Sequence, residues 1–271
     1  MSIANQLTRL VRTMLIRMKD HDVSGIAASL AFFFLLSLFP LLIVLATLLP
    51  YLPIKESDII TYLAAYVPED SLQLLEGHIE NIMEGSGKLL SLGIIGTLWS
   101  ASNAMNGMVK AFNKAYDIYD DRTYLIVRAI ALVLTVAMIF IFIIALLLPV
   151  FGKQIGLFIF DLLGYDKQFL HMWDAIRWIL SIFILFCVFS LLYWVFPVVK
   201  MDNRVVMRGA LFATVGWSVV SLGFSFYVNN FSNYSTTYGS IGGIIVLMLW
   251  FYILAYIIIL GAEINAMWRE K

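Results

Sequence analysis

The distribution of apolar residues along this chain predicts a bundle of membrane-crossing helices. A bilayer core about 30 Å thick requires roughly 20 helical residues to cross it. Six segments reach that length, and they cover residues 26–50, 89–108, 129–151, 176–197, 209–228 and 243–264. The second segment is uncharged but is interrupted by Ser, Asn and Gly, so its hydropathy is the weakest. The pattern indicates an all-α polytopic protein with a single six-helix transmembrane domain over residues 26–268.

The basic residues predict the orientation of these six spans. The two chain ends and the loops 109–128 and 198–208 fall on one side, and they hold 13 of the 18 basic residues. These residues are Arg9, Arg12, Arg17, Lys19, Lys110, Lys114, Arg122, Arg128, Lys200, Arg204, Arg208, Arg269 and Lys271. Lys and Arg accumulate on the cytoplasmic side of membrane proteins. We therefore expect both termini to be cytoplasmic, and this alternation of loops requires the polar second span.

Residues 1–25 predict an amphipathic helix. They are basic and lack an apolar stretch before a small-residue cleavage site, so a cleavable signal peptide is not expected. The apolar residues at helical spacing are Leu7, Leu10, Val11, Met14, Leu15 and Met18, and four basic residues lie opposite them. Two interpretations are open. The segment is an interfacial helix along the membrane surface, or it is an ordinary helix packed under the bundle.

Two outer loops have distinct characters. Residues 51–88 are rich in acidic side chains and keep apolar residues at helical spacing, which predicts one or two short amphipathic helices. They would lie on the membrane or cap the bundle. The last outer loop, "NNFSNYSTTYGS", has no charge but many hydroxyl and amide groups. Both loops are candidate docking surfaces for an envelope protein or lipid.

The second span carries an unusual polar face. Ser100, Asn103, Asn106 and Lys110 recur at steps of three or four residues and therefore share one face of the helix. Polar side chains at membrane depth either bond across neighbouring helices or line a water-filled path. The sequence leaves both readings open, and these four residues are the candidate polar path.

An acidic residue, Glu263, closes the uncharged run of the last span. Counted from Gly243 at 1.5 Å per residue, 20 residues bring the chain to the inner membrane boundary. Near an interface the cost of an ionised side chain falls. Glu263 is therefore either an interfacial group in a structural pair or a member of a proton or ion relay. The predicted partner in a pair is Arg208, with Lys110 and Arg204 as alternatives.

Two prolines mark the spans differently. Pro40 lies in the middle of the first span, where it lacks an N–H and its ring crowds the carbonyl four residues back, so a kink is predicted. Pro197 lies at the end of the fourth span, where a proline does not interrupt the hydrogen bonds of the helix. Both are assigned structural roles.

Composition and the absence of known motifs argue against several classes of protein, including soluble proteins, nucleic-acid-binding proteins and metalloenzymes. With 62% hydrophobic and 13% charged residues, the chain does not fit a soluble surface, and its zero net charge implies no attraction to nucleic acid. The single cysteine, Cys187, excludes an intrachain disulfide and is expected to be buried. The three histidines have no metal-ligand spacing, and no catalytic or nucleotide-binding motif is present. We therefore expect no enzyme activity, no cofactor and no metal.

Several strings resemble the YihY/BrkB family of bacterial inner-membrane proteins, some of whose members carry the label ribonuclease BN. They include "AASLAFFFLLSLFPLLIVL", "GTLWSASNAMNGMVKAFNKAYD", "YWVFPVVK" and "LGAEINA", and a long string across the fifth and sixth spans. Within the matching strings, Tyr238, Gly239 and Gly261 are assigned structural roles. The resemblance implies a six-span bundle in the inner membrane and no settled activity. The nuclease label has no support in these residues, which lack clustered metal ligands.

Two functional hypotheses follow. The first is a transport or export component that moves a small solute, ion or lipid past the polar second helix and Glu263. The second is a non-transporting partner or scaffold for envelope proteins or lipids. Membrane lipids are expected partners in both, and the sequence leaves the cargo and the oligomeric state open.

Overall fold

The regular structure is α-helical throughout the part of the chain that the computed structural model describes. This part comprises residues 3–48, 87–139, 141, 167–199, 201–230 and 240–269. Its seven helices are α1 (Ile3–Asp20), α2 (Val23–Leu48), α3 (Gly87–Ala115), α4 (Tyr124–Ile139), α5 (Lys167–Val195), α6 (Asn203–Asn230) and α7 (Ser240–Arg269). The all-α prediction is confirmed for these residues.

Four of these helices are long and apolar enough to cross a membrane. The candidate spans are Val23–Val44, Ile176–Val195, Asn203–Tyr227 and Gly242–Arg269. They match the first, fourth, fifth and sixth predicted spans. Helix α3 has 29 residues, or about 43 Å of helix, but its polar face lowers its hydropathy. Helix α4 is the described start of the third span, so the six-span count stays a prediction.

Some predicted features lie outside the described residues. They are residues 51–86 of the acidic loop, residues 142–151 of the third span, and Tyr238 and Gly239 in the last outer loop.

The described chain divides into two compact units. One contains Met1–Phe32 and Ser102–Lys271, and the other contains Phe33–Ala101. In the smaller unit, α2 continues as a helix through Pro40. A Cβ atom on Gly96 would lie 3.2 Å from the Pro40 ring, so this glycine allows α3 to pack closely on the proline. The kink at Pro40 stays a prediction.

In the larger unit, α6 packs against both α5 and α7. Helices α6 and α7 approach each other closely at Gly209 and Gly261. A Cβ on Gly209 would collide with the Gly261 carbonyl oxygen, and a Cβ on Gly261 would collide with the Tyr193 hydroxyl. The buried Tyr193 hydroxyl donates to the Ile258 carbonyl at 2.8 Å. Small residues let membrane helices approach until such bonds form, so Gly261 has a packing role here.

A tight corner joins α1 to α2. Asp22 adopts the left-handed conformation with φ 51°, and its carboxylate accepts the Gly25 N–H at 3.2 Å. One residue thus ends α1 and caps the N-terminus of α2. Val23, which follows it, is fully buried. The corner fixes the direction in which the last turn of α1 meets the bundle.

Helix α1 contacts α7 and leaves part of its apolar surface uncovered. Val11, Leu15 and Ile16 are each at least half exposed. The expectation for Cys187 is wrong, because its side chain is exposed on α5. Exposed apolar residues are common on these helices and are typical of surfaces that face lipid.

Candidate functional site

Glu263 lies fully buried on α7 and is held by two residues of the N-terminal segment. The Nε of Arg17 donates to one carboxylate oxygen at 2.9 Å, and the Nδ1 of His21 lies 2.5 Å from the other. Arg17 and His21 are four residues apart and therefore face the same way. Ala262 and Ala266 beside Glu263 are also buried, so small side chains allow α1 to come close. The N-terminal helix is thereby fastened to the last span.

Asp117 contributes a second carboxylate to the same cluster. One of its oxygens lies 3.2 Å from Arg17 Nη2, and the other lies 3.4 Å from His21 Nε2. Asp117 itself is 62% exposed, so the cluster reaches from a buried acid to the surface. The His21 ring lies between the two acids. We call Arg17, His21, Asp117 and Glu263 the ion-pair cluster.

The backbone at Asp117 explains how this carboxylate is positioned. Helix α3 ends in a Schellman motif, in which the N–H groups of Asp117 and Ile118 return to carbonyls in the last turn. Asp117 occupies the left-handed position of this motif with φ 54°, where glycine is the usual residue. An aspartate tolerates this conformation better than most residues, and here its side chain contacts both Arg17 and His21.

The guanidinium of Arg17 compensates the charge of the buried Glu263. Arg17 also donates to the Ala115 carbonyl at 2.6 Å, so its guanidinium has acceptors on α3, on the following turn and on α7. A buried carboxylate is tolerated only when it is paired and hydrogen-bonded. Both oxygens of Glu263 meet this condition. Within the described residues no group of His, Cys, Asp and Glu forms a metal site. At Glu263 and Asp117, the Arg17 guanidinium occupies the space between the carboxylates.

Arg208 does not pair with Glu263, so the predicted pairing is wrong. Its guanidinium carbon lies 4.0 Å from the centre of the Trp268 ring, in a cation–π contact. Sequence order places Arg208 at the start of the fifth span and Glu263 at the end of the sixth, which made them plausible neighbours. Arg17 and His21 of the N-terminal segment contact Glu263 in place of Arg208.

Two further polar residues border the ion-pair cluster. Asn265 is fully buried, and its amide oxygen accepts the Gly209 N–H at 2.7 Å, which joins α7 to α6. The Tyr116 hydroxyl lies near Asn265 but outside hydrogen-bonding geometry, and it is buried without a partner among the described residues. Burial raises the pKa of Tyr116 above its usual value, so its hydroxyl keeps its proton.

Asn113 joins the two connecting segments at the same end of the bundle. Its amide oxygen accepts the Val198 N–H at 3.1 Å, and its amide nitrogen donates to Asp120 at 3.2 Å. Hydrogen bonds from Arg122 lower the pKa of Asp120. Helix α5 ends at Val195, two residues before the buried Pro197, as predicted for a proline at the end of a span.

The predicted polar face of α3 is divided between different environments. Ser100 is buried, and Lys110 is exposed. Asn103 accepts a hydrogen bond from Arg128 Nη1 at 2.5 Å. The side-chain oxygen of Asn106 is buried and has no hydrogen-bond partner in the described structure. No hydrogen bond or ion pair between described residues joins Asn103, Asn106 or Lys110 to Glu263, and the candidate path stays a prediction.

A small cleft opens between α4 and α5, away from these polar groups. It is lined by Leu134, Ala137, Met138, Ile141, Leu191, Val195 and Phe196, all of which are apolar. None of the candidate path residues lines it.

Sequence reasoning missed Arg17, His21, Asp117 and Arg128 as site residues. A signal existed for the first two, because two cationic or titratable residues spaced by four mark one face of a helix end. Asp117 and Arg128 carried no comparable signal. Their partners lie on other elements, and spacing along the chain does not reveal such contacts.

Comparison with known proteins places the chain in a family. The family model described as "Virulence factor BrkB" matches residues 14–271. The chain is 50% identical over 252 residues to the "Putative ribonuclease-like protein YfkH" of Bacillus subtilis (strain 168), covering 93% of this chain and 92% of that protein.

More distant relatives are named as membrane proteins. A "UPF0761 membrane protein" of Stenotrophomonas maltophilia (strain R551-3) is 25% identical over 92% of this chain and 58% of its own length. Another, from Alteromonas mediterranea, is 24% identical over 97% of this chain and 88% of its own length. No solved structure matches. With its long apolar helices and these relatives, the chain is an integral membrane protein that belongs to the BrkB family, as the resemblance predicted.

Proposed function

We propose that this protein is a transport or export component of the bacterial inner membrane that moves a small solute, an ion or a lipid. The observation that carries the proposal is the buried, unpartnered side-chain oxygen of Asn106 on the polar face of α3. An unpaired polar group inside a membrane bundle costs free energy. Polar side chains of membrane helices that face a water-filled cavity are typical of substrate pathways.

The orientation is part of the proposal. Contacts join the end of α1, the turn after α3 and the end of α7 through the ion-pair cluster. Asn113 joins the segments after α3 and α5. These segments belong to the side that carries 13 of the 18 basic residues, and the distribution of basic residues supports a cytoplasmic position for that side and for both termini.

The ion-pair cluster has a mechanical role in this proposal. Glu263 has both oxygens bonded to Arg17 and His21, so it is not open to a cargo. It fastens α1 to α7 at the inner end of the bundle. The transported molecule would instead pass the face of α3 that carries Asn103 and Asn106.

Cysteine accessibility tests the proposal. In a Cys187→Ser background, single cysteines at Asn103 and Asn106 should react with a membrane-impermeant thiol reagent if this face is wet. A matched control on the same helix is Ile95→Cys, because Ile95 is exposed and apolar and should face lipid. A reactive Asn106 position with a silent control is expected. Equal silence at all three positions would refute a water-filled path.

The second candidate function is that of a non-transporting scaffold for envelope proteins or lipids. It is favoured by one observation, that the only acid buried within a described span is closed into a structural cluster. In this case the outer loops 51–88 and 229–242 would carry the interactions, and the polar face of α3 would serve packing. Nuclease activity is not part of either proposal. Silence in the accessibility experiment would favour the scaffold.

A further inference from the structure

Arg128 is a cation whose described partner is neutral. Its guanidinium is half-buried near the start of α4 and donates to the uncharged amide oxygen of Asn103 at 2.5 Å. Among the residues that the structure describes, no carboxylate lies within ion-pair distance of it. The guanidinium of Arg122, by comparison, binds Asp120 through two hydrogen bonds. A partly buried arginine without a counter-ion has donor capacity for an anion.

Two neighbouring groups add to the same site. Asn106 lies one helical turn from Asn103 on the same face of α3, and its buried oxygen lacks a donor. Lys110 lies a further turn along and is exposed, so its ammonium is available to attract an anion. The site therefore offers positive charge from two residues and one unused hydrogen-bond acceptor.

We infer that Arg128, Asn103 and Asn106 form a binding site for a phosphate-type oxyanion that carries an adjacent hydroxyl or amine. The inference rests on the proposed function and names the chemical class of the cargo. Arg128 binds the oxyanion, because guanidinium geometry matches phosphate. Asn103 holds the guanidinium in place, and the Asn106 oxygen accepts a hydrogen bond from the adjacent hydroxyl or amine. A phospholipid headgroup with a hydroxyl or amine and a free hydrogen phosphate ion both have this chemistry.

Binding to the purified full-length protein in an uncharged detergent tests the site. The probes are short-chain phosphatidylglycerol, which has hydroxyl donors, short-chain phosphatidylcholine, which has a phosphate but no such donor, and inorganic phosphate. The readouts are the shift of the thermal unfolding midpoint and native mass spectrometry. We expect saturable binding of phosphatidylglycerol that is tighter than binding of phosphatidylcholine.

Two substitutions of arginine form a matched pair. Arg128→Gln should weaken binding of phosphatidylglycerol about tenfold, because charge-assisted hydrogen bonds to the oxyanion are lost. Arg122→Gln removes the same charge from a nearby arginine that already has a carboxylate partner, and it should leave binding unchanged. Equal weakening by both variants would show a general charge effect and overturn the site.

Asn106→Leu separates binding from packing. Replacing an amide whose buried oxygen has no partner with an apolar side chain of similar size should leave stability unchanged or raise it. The same change should weaken binding of phosphatidylglycerol and leave that of phosphatidylcholine unaltered, because only the first has a donor for Asn106. Loss of stability together with unaltered lipid preference would refute the role assigned to Asn106.

The probes also distinguish a lipid headgroup from a free phosphate as the ligand. Together with the cysteine experiment, they distinguish failure of the binding site from failure of the proposed transport function. Binding of phosphatidylglycerol without inorganic phosphate assigns a lipid headgroup, whereas binding of inorganic phosphate without the lipid assigns a free solute. Absence of saturable binding of every probe would overturn the site. A reactive Asn106 cysteine without phosphate binding would leave transport standing and reject the cargo class. Saturable binding of a probe, together with an unreactive cysteine at position 106, would support the binding site and refute the water-filled path.

Discussion

Removing Arg17 should damage the fold more than removing the charge of Glu263. In Arg17→Met, the fully buried Glu263 keeps only His21 as a partner. In Glu263→Gln, Arg17 keeps its bonds to the Ala115 carbonyl and to Asp117. The asymmetry arises because the acid is fully buried, whereas the guanidinium has other acceptors.

The structure sets the expected magnitudes. Removing one partner of a buried ion pair costs about 3–5 kcal/mol, which is the expectation for Arg17→Met. Glu263→Gln loses charge-assisted hydrogen bonds and should cost about 1.5–3 kcal/mol. The larger value corresponds to a fall in the thermal unfolding midpoint on the order of 10 °C. The double variant Arg17→Met with Glu263→Gln should recover much of the loss, because it contains no unpaired buried carboxylate.

The assay is thermal unfolding of the purified protein in detergent, analysed as a double-mutant cycle. Arg12→Met is the matched control, since Arg12 is an exposed arginine on the same helix, and its effect should stay within about 0.5 kcal/mol. The reasoning would be refuted if Arg17→Met were no more harmful than Glu263→Gln, or if the two single effects were simply additive.

Two other predictions concern packing and pH. Gly261→Ala should cost about 1–3 kcal/mol in unfolding free energy, because its Cβ would collide with the Tyr193 hydroxyl. Gly223→Ala, with open space around it, should leave the melting temperature unchanged or raise it; equal loss in both variants would contradict the collision. Burial raises the pKa of Tyr116, so an unfolded tyrosine loses its proton near pH 10 while the folded one keeps it, and stability falls as pH rises above about 10. Tyr116→Phe should reduce this fall in unfolding midpoints measured from pH 8 to 11, and an identical pH profile in the variant would contradict the assignment.

The pattern of the sequence was sufficient to predict the helices. Apolar runs of about 20 residues have few stable forms other than a membrane-crossing helix, because their backbone groups must bond within the segment. The first, fourth, fifth and sixth predicted spans therefore coincide with α2, α5, α6 and α7. The placement of Pro197 just after α5 follows from the same local rule, since proline ends a helix wherever the chain places it.

The candidate site depended much more on tertiary structure. Arg17 and Glu263 are 246 residues apart, and His21 and Glu263 are 242 residues apart. The sequence placed Glu263 near a membrane boundary and left a structural pair and an ion relay open. For the pair it favoured Arg208 over Lys110 and Arg204. The actual partners depend on where α1 lies, and the left-handed turn at Asp117 adds the second acid.

The polar face of α3 shows the same division. Its periodicity follows from residue spacing alone, because every third or fourth residue of a helix shares a face. Whether each of these side chains has a hydrogen-bond partner depends on which residues of other segments lie next to it. Asn103 meets Arg128, whereas the oxygen of Asn106 meets no donor among the described residues. Local backbone bonding determines the helices, but pairing of buried polar groups is decided by the close approach of segments that are distant in the chain.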